Sequence, residues 1–413
     1  MIARFSLYGF LKNQRYFEPF IILFFLENSL SFTQIGILIA FREICININE
    51  VPSGALADLY GRRKCMMASF IAYICSFVIF GLSHHYWGFF FAMFFFATGD
   101  AFRTGTHKAM IFTWLRLENR IDEKTQVYGY TRSWSKLGSA FSIILATMFV
   151  LVTNNYRVVF YLSIIPYVIG LITFMSYPRE LDSVSTQTVR PAMLFSLLWQ
   201  TLKDSMHTQG LRRLMVESMA FEGIFKAVKD YLQPVIMALV IVMPMFTYMD
   251  EVRRSSIIVG IVYFILYLAS AYASRRSYCI RDYCGGEEQG SIFLWKIMFF
   301  IYLVMTPLLY LKSYYLVLAG FVGLYLIQNF WRPILISRFD AYADESRGAT
   351  VLSMESQVKS ISTMIAAPLL GMAVDFVSMH GPGGEFWPVG ILGAAAACMI
   401  LTTAKKDLRQ SKV

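Results

Sequence analysis

Charge is what this sequence has least of. Only 15% of its 413 residues are Asp, Glu, Lys or Arg, against about 25% in a soluble domain. Hydrophobic residues make up 57% and aromatic residues 16%. That balance excludes an ordinary water-soluble globule and predicts a membrane protein. Enzyme signatures are missing as well. The five histidines (84, 85, 107, 207 and 380) fall at no metal-ligand spacing, and the chain has no phosphate loop and no Gly-x-Ser-x-Gly elbow. The expectation is therefore a non-enzyme with no catalytic residues, no cofactor and no metal. Six cysteines (45, 65, 75, 279, 284 and 398) are thinly spread, and the Cys279–Cys284 spacing fits neither a zinc site nor a redox pair. Unpaired thiols are expected. The first apolar stretch has no small-residue cleavage site and carries Lys12, Arg15 and Glu18, so it is expected to stay as a helix.

The net charge is +10. Nucleic acid is one partner for such an excess, but cytoplasmic cations on a membrane protein explain it more simply. A bilayer core about 30 Å thick needs roughly 20 helical residues per crossing. With that ruler, twelve spans are expected near 5–26, 33–58, 65–83, 87–113, 128–152, 158–177, 214–242, 256–274, 290–311, 314–337, 350–376 and 386–404. The one long break, 179–213, contains PAMLFSLLWQTLKDSM, where Leu194, Phe195, Leu198 and Leu202 oppose Gln200, Lys203 and Asp204. That pattern predicts an amphipathic helix on the membrane surface. The expected organisation is an N-terminal six-helix bundle (1–178), a cytoplasmic linker (179–213), a C-terminal six-helix bundle (214–404) and a cytoplasmic tail (405–413).

Twelve spans place both termini on one side of the membrane. Loops on the Arg62 side carry 21 cations, whereas the opposite loops carry 4, namely Arg157, Arg253, Arg254 and Lys312. The positive-inside bias puts the termini in the cytoplasm, in an expected plasma (inner) membrane. Two faint echoes relate the halves. Arg15-Tyr-Phe-Glu-Pro19 matches Asp230-Tyr-Leu-Gln-Pro234, and Arg132-Ser-Trp-Ser-Lys136 matches Glu355-Ser-Gln-Val-Lys359. Both join corresponding spans once six are folded onto six.

A charge at mid-bilayer costs about 2.5–3.5 kcal/mol, so each must face protein or water. The third, sixth, ninth and twelfth spans are almost free of charge, as lipid-facing supports should be. In the others the charges keep helical register. Asp100, Arg103, Thr104 and His107 share one face, as do Glu222, Lys226, Lys229, Asp230 and Gln233. Arg132, Ser135, Lys136 and Ser139 form a third stripe, and Glu43, Asn47, Glu50 and Gly54 a fourth. The fourth is read as structural ion pairing beside a packing site, and Lys12 and Lys108 as snorkelling cations. For Arg15, Glu18, Asp100, Arg103, Glu222, Lys226, Asp230 and Arg332 two readings stand, structural ion pairs or a substrate and proton pathway.

In Glu50–Lys64, EVPSGALADLYGRRK, an apolar run breaks into three cations. Gly54 allows close helix approach and Gly61 a tight turn that exposes Arg62 and Arg63. The pattern Gly-x-x-x-Asp-x-x-Gly-Arg-Arg resembles the signature loop of the major facilitator superfamily of secondary transporters. Leu59 stands where that family usually has a cation. Gly99-Asp-Ala-Phe-Arg103-Thr-Gly resembles the fourth-span region that often carries a functional arginine there. Arg347–Ser353 and Gly371–Asp375 resemble stretches around the eleventh span. The resemblance implies an all-α fold of twelve transmembrane helices in two six-helix bundles related by a pseudo-twofold axis. It also implies that the first, fourth, seventh and tenth spans line a central cavity. Arg132, Lys136, Glu355 and Lys359 would then lie at the bundle interface. Gly54, Asp58, Gly61, Arg62 and Arg63 would form a conformational latch, with Asp58 meeting the cytoplasmic end of the eleventh span.

The function expected is proton-coupled secondary active transport of a small solute by alternating access, with the substrate leaning to an organic anion, since cations slightly outnumber acids on the central spans. Buried carboxylates such as Glu18, Glu222 and Asp230 supply candidates for proton coupling. The expected partners are a small-molecule substrate and the lipid bilayer, with no nucleic acid, in a monomer. A drug-efflux carrier is the rival, and a transporter-like sensor or scaffold the alternative from another class.

Overall fold

The computed structural model describes residues 1–104, 106–120, 123–181, 209–243, 246–340 and 348–410; side chains at 51, 54, 55, 58, 59, 124–126, 209, 340, 348–353 and 403–410 are not among those described. The expected amphipathic helix at 191–206 lies outside the described residues. Every regular element among the described residues is helical. Seven helices are long and apolar enough to cross a membrane: Arg62–Leu82, Val127–Thr153, Val158–Met175, Glu251–Arg275, Glu287–Tyr310, Tyr314–Phe339 and Met354–His380. Apolar side chains exposed along one face of Val158–Met175, including Tyr161, Ile165, Val168 and Ile172, suit contact with lipid rather than water.

Several expected spans are interrupted where polar chemistry sits. The first is two helices, α1 (Ile2–Leu11) and α2 (Ile21–Glu27), joined by turns. Pro19 has no N–H to give to the preceding turn and disfavours helical backbone at Glu18. Side chains satisfy the freed carbonyls, as a dry interior requires. Asn13 Nδ2 donates to the Gly9 carbonyl and the Tyr167 hydroxyl to that of Lys12, while Gln14 Nε2, from the break itself, donates across to the Gly138 carbonyl. α3 (Phe32–Tyr60) is continuous, and Gly61, at φ 96°, turns the chain directly into α4 (Arg62–Leu82). Only glycine adopts that backbone without strain.

The fourth span also divides, into α5 (Tyr86–Arg103) and α6 (Thr106–Leu117), at an extended Thr104. α7 (Lys124–Thr153) and α8 (Val158–Met175) follow. The seventh span is a composite. α9 (Gln209–Ser218) runs through a π-turn at Met219–Gly223 into α10 (Ile224–Val228), then through one 3₁₀ turn into α11 (Leu232–Val242). Wide turns leave carbonyls without helical partners. Here the Ser362 hydroxyl donates to the Met219 carbonyl at 2.8 Å, and Thr363 to that of Gly223 at 3.0 Å.

α12 (Glu251–Arg275) leads to a short helix absent from the sequence reading, α13 (Ser277–Cys284), in what was expected to be a loop. α14 (Glu287–Tyr310), α15 (Tyr314–Asp340), α16 (Gly348–His380) and α17 (Trp387–Gln410) complete the chain.

The chain forms two compact units. Unit 1 comprises Met1–Phe24, Phe41–Ser196 and Val252–Tyr267, and unit 2 comprises Phe25–Ala40, Leu197–Glu251 and Leu268–Val413. α3 and α12 are thus each divided between the units. Unit 1 has an aromatic core in which Phe24, Phe80 and Phe17 surround Phe160 at centroid distances of 4.7, 4.8 and 5.8 Å. In unit 2 the first turns of α3 cross α16 with almost no side chain between them. A Cβ on Gly36 would collide with the Ala367 carbonyl, and one on Gly371 with that of Phe32. The Asp375 carboxylate completes the crossing by accepting from the backbone N–H groups of Phe32 (3.0 Å) and Thr33 (2.7 Å), capping the start of α3.

Candidate functional site

Each unit holds a buried charged cluster, and Arg15, Asp100, Arg103, Glu222 and Arg332 of the expected pathway residues divide between the two. In unit 1, Asp100 on α5 is the centre. Arg103, one turn later, places Nη2 2.6 Å from Asp100 Oδ1, and Arg15 Nη2 lies 3.5 Å from the same oxygen. The Tyr73 hydroxyl donates to that oxygen too, and Arg103 Nε donates to the Tyr73 oxygen at 3.0 Å. All three charged side chains are at most about a quarter exposed. One carboxylate therefore holds two guanidiniums and a phenol, leaving a net positive centre. Tyr73 was not singled out from sequence, because a tyrosine in an apolar span carries no pattern that separates it from core. Glu18 sits in the turns that follow Arg15, its N–H donating to the Arg15 carbonyl at 3.1 Å.

Unit 2 balances its charges. Arg332 on α15 grips Glu355 on α16 bidentately, Nη1 to Oε1 at 2.7 Å and Nη2 to Oε2 at 3.0 Å. Ser218 donates to Glu355 at 2.7 Å, and Lys359 Nζ approaches it to 3.9 Å. The π-turn presents Glu222 to the same group. It accepts from Gln328 Nε2 at 3.1 Å and lies 3.8 Å from Arg332. Two carboxylates thus share Arg332 and Lys359. Lys226 is half-buried four residues beyond Glu222, while Asp230 lies 3.8 Å from the adjacent Lys229.

A third group, missed by the sequence reading, lies toward the starts of α9 and α14 and the end of α15. The Glu217 carboxylate accepts from Arg338 at 2.6 Å and from Arg213 at 2.9 Å, and Arg213 also meets Glu288 at 2.9 Å. Arg338 and Arg213 had counted only as loop cations, and Glu217 had stood in no stripe.

Arg132 and Lys136 line a cavity of about 350 Å³ within unit 1. α1 and α7 meet there closely enough that a Cβ on Gly9 would sit 2.8 Å from the Thr131 carbonyl, and one on Gly138 2.5 Å from that of Phe10. Their facing residues then bring Lys12, Arg132 and Lys136 to one space, with His107 from α6 as a further wall. Glu355 and Lys359, the matching pair in the other half, sit instead in the neutralised group around Arg332.

Of the signature-loop residues, Arg62 Nη1 donates to Thr113 at 2.8 Å and Arg63 Nη1 to the Tyr177 carbonyl at 3.1 Å, both within unit 1. Gly54 and the Asp58 carboxylate are outside the described side chains.

The family model described as Major Facilitator Superfamily matches residues 5–322. The nucleoside transporter NupG is similar in structure at a TM-score of 0.74 and 11% identity, covering 98% of each chain. A POT family transporter in complex with 5-aminolevulinic acid follows at 0.72 and 14%, covering 98% of this chain and 96% of that one. A D-xylose-proton symporter gives 0.64 and 13%, covering 97% and 95%. No curated protein matches by sequence. A chain whose described elements are all helical, with membrane-length apolar helices and a family match over most of its length, belongs to the major facilitator superfamily, and is a membrane transporter rather than an enzyme.

Proposed function

We propose that this transporter is a secondary active carrier of a small organic anion, coupled to protons. It has twelve spans in two six-helix bundles (1–178 and 214–404) that expose a central site to each side in turn. The observation that carries the reading is the Arg15–Asp100–Arg103 centre, which retains more positive than negative charge inside an apolar unit. Each charge held at membrane depth costs a few kcal/mol, so an excess of one sign there is kept for a ligand of the other. Arg15, Glu18, Asp100, Arg103, Glu222, Lys226, Asp230 and Arg332 are the pathway residues on this reading.

Glu222 and Glu355 compete for Arg332, an arrangement suited to taking up a proton when that arginine is drawn to substrate. The structural likeness to a D-xylose-proton symporter supports this coupling. Arg62, Arg63 and Asp58 act as the cytoplasmic latch, and Arg132, Lys136, Glu355 and Lys359 line the meeting faces of the bundles. The cation bias puts both termini in the cytoplasm of an inner-membrane monomer.

Uptake into proteoliposomes under an imposed pH gradient tests the reading. Anionic solutes should accumulate and carry protons with them, and Arg103→Ala should abolish uptake. Extrusion of lipophilic cations, lost with Asp100→Asn and kept in Arg103→Ala, would favour drug efflux instead. Absence of both solute movement and substrate-induced proton flux would refute a coupled carrier.

A further inference from the structure

The cavity between α1, α6 and α7 has an unusual charge balance. Lys12, Arg132 and Lys136 all line it, and among the described residues no carboxylate does. Asp100, a buried acid of the same unit, is already held by Arg15, Arg103 and Tyr73. Neither Arg132 nor Lys136 takes part in an ion pair among the described residues, and Lys12 rests over the Tyr8 ring at 5.4 Å. His107 contributes a buried Nε2 with no hydrogen-bond partner.

The two halves make the imbalance specific. Arg132-Ser-Trp-Ser-Lys136 corresponds to Glu355-Ser-Gln-Val-Lys359. In the second half the acid at the first position neutralises Arg332 and Lys359. In the first half that position is Arg132, so the equivalent place has gained a cation and lost its acid. Like charges gathered beside an apolar interior repel and lose hydration, and removing them would be the cheaper solution for stability alone.

The walls also suit a ligand. Helical register puts Gly9 and Lys12 on one face of α1, and Thr131, Arg132, Ser135, Lys136 and Ser139 on one face of α7. Hydroxyls therefore alternate with cations along α7; Thr131 and Ser139 donate to the Tyr128 and Ser135 carbonyls of their own helix, and Ser135 sets a hydroxyl between the two cations. The volume of about 350 Å³ is at the small end of the range for small-molecule sites, about 300–1,000 Å³.

We propose that this cavity binds a small soluble dianion through its oxygen atoms, a phosphate or a dicarboxylate, with Arg132 and Lys136 as the principal contacts and Lys12 closing the site from α1. A single carboxylate would leave two of the three cations uncompensated, whereas a dianion with two oxygens per charge satisfies both the α7 cations and the intervening hydroxyl. The assignment rests on the anion-carrier reading and narrows it, placing the doubly charged group in unit 1.

The test is calorimetric titration of the full-length protein in nanodiscs of neutral phosphatidylcholine, at fixed ionic strength and about pH 8, where inorganic phosphate is a dianion. Phosphate or succinate should bind, with lactate at least tenfold weaker. Arg132→Ala and Lys136→Ala should each weaken the dianion at least tenfold while the thermal midpoint without ligand does not fall, and Lys136→Arg should keep affinity. Equal binding of lactate or chloride, or affinity indifferent to both alanine variants, overturns the assignment. So does loss of phosphate binding when phosphatidic acid is included in the disc, which would make a lipid headgroup the occupant. Binding needs neither gradient nor turnover. Dianion binding without uptake therefore counts against the carrier reading alone, and anion uptake without dianion binding counts against this site alone.

Discussion

Replacing Asp375 by Asn removes one charge from the crossing of α3 and α16 and almost no volume. In the structure the carboxylate accepts two backbone N–H groups, at 3.0 and 2.7 Å, from the first residues of α3. Those donors have no partner inside their own helix, and the helix dipole adds a favourable field for a negative charge. An asparagine keeps one acceptor and loses the charge, which on capping and dipole scales costs about 1–2 kcal/mol. The glycine contacts beside it, Gly36 on Ala367 and Gly371 on Phe32, are unaffected.

On the proposed orientation and alternating-access reading this crossing is at the non-cytoplasmic end, so the cost would fall on the state in which that end is closed. A loss of 1–2 kcal/mol shifts a two-state ratio by about 5–30-fold. Spin labels on the loops at 154–155 and 381–385, read by double electron–electron resonance, should show the longer-distance population rise by that factor, and Asp375→Glu should reverse most of it. An unchanged distance distribution in a normally folded Asp375→Asn protein would refute the reasoning.

Three further outcomes are expected. Asp100→Asn leaves Arg15 and Arg103 without their shared acid in a partly buried site, and should destabilise the protein by about 3–5 kcal/mol, read as a lowered thermal midpoint in detergent. Glu355→Gln and Arg332→Gln should be strongly non-additive, because both delete the same bidentate pair. A double-mutant cycle on unfolding should give a coupling of about 0.5–3 kcal/mol, and additive effects would mean that the pair contributes nothing of its own. Gly371→Val puts a branched side chain against the Phe32 carbonyl, and should shift the same distance distribution further than Asp375→Asn, since overpacking costs about 1–3 kcal/mol.

How much of the site was legible depended on what kind of force fixed it. Arg15, Asp100 and Arg103 stood out because charge in an apolar run is expensive wherever it occurs. Their mutual pairing did not, since the residue that completes it, Tyr73, looks like any other aromatic in a span. Spacing puts Arg132 and Lys136 on one helix face, and the resemblance gave them the same expected place as Glu355 and Lys359. Only the surroundings separate an unneutralised cavity from a neutralised cluster. Glu217 and Arg338 went unnoticed because each sits near a helix end, where charge is cheap and unremarkable until the partner is seen.

The sequence by itself determined the chemistry of the solvent this protein lives in. Membrane hydrocarbon leaves no water to satisfy a backbone, so helices and long apolar runs are dictated residue by residue. Gly61, with no Cβ, likewise fixes its turn locally. The tertiary structure decided where helices break and which charges meet. The gap between α1 and α2 and the π-turn at Met219–Gly223 persist because distant side chains, Tyr167, Ser362 and Thr363, donate to their freed carbonyls. The cap of Asp375 on α3 spans more than three hundred residues of chain. Hydropathy is a property of each residue and can be summed along a sequence, whereas an ion pair or a cap belongs to two places at once and exists only after folding joins them.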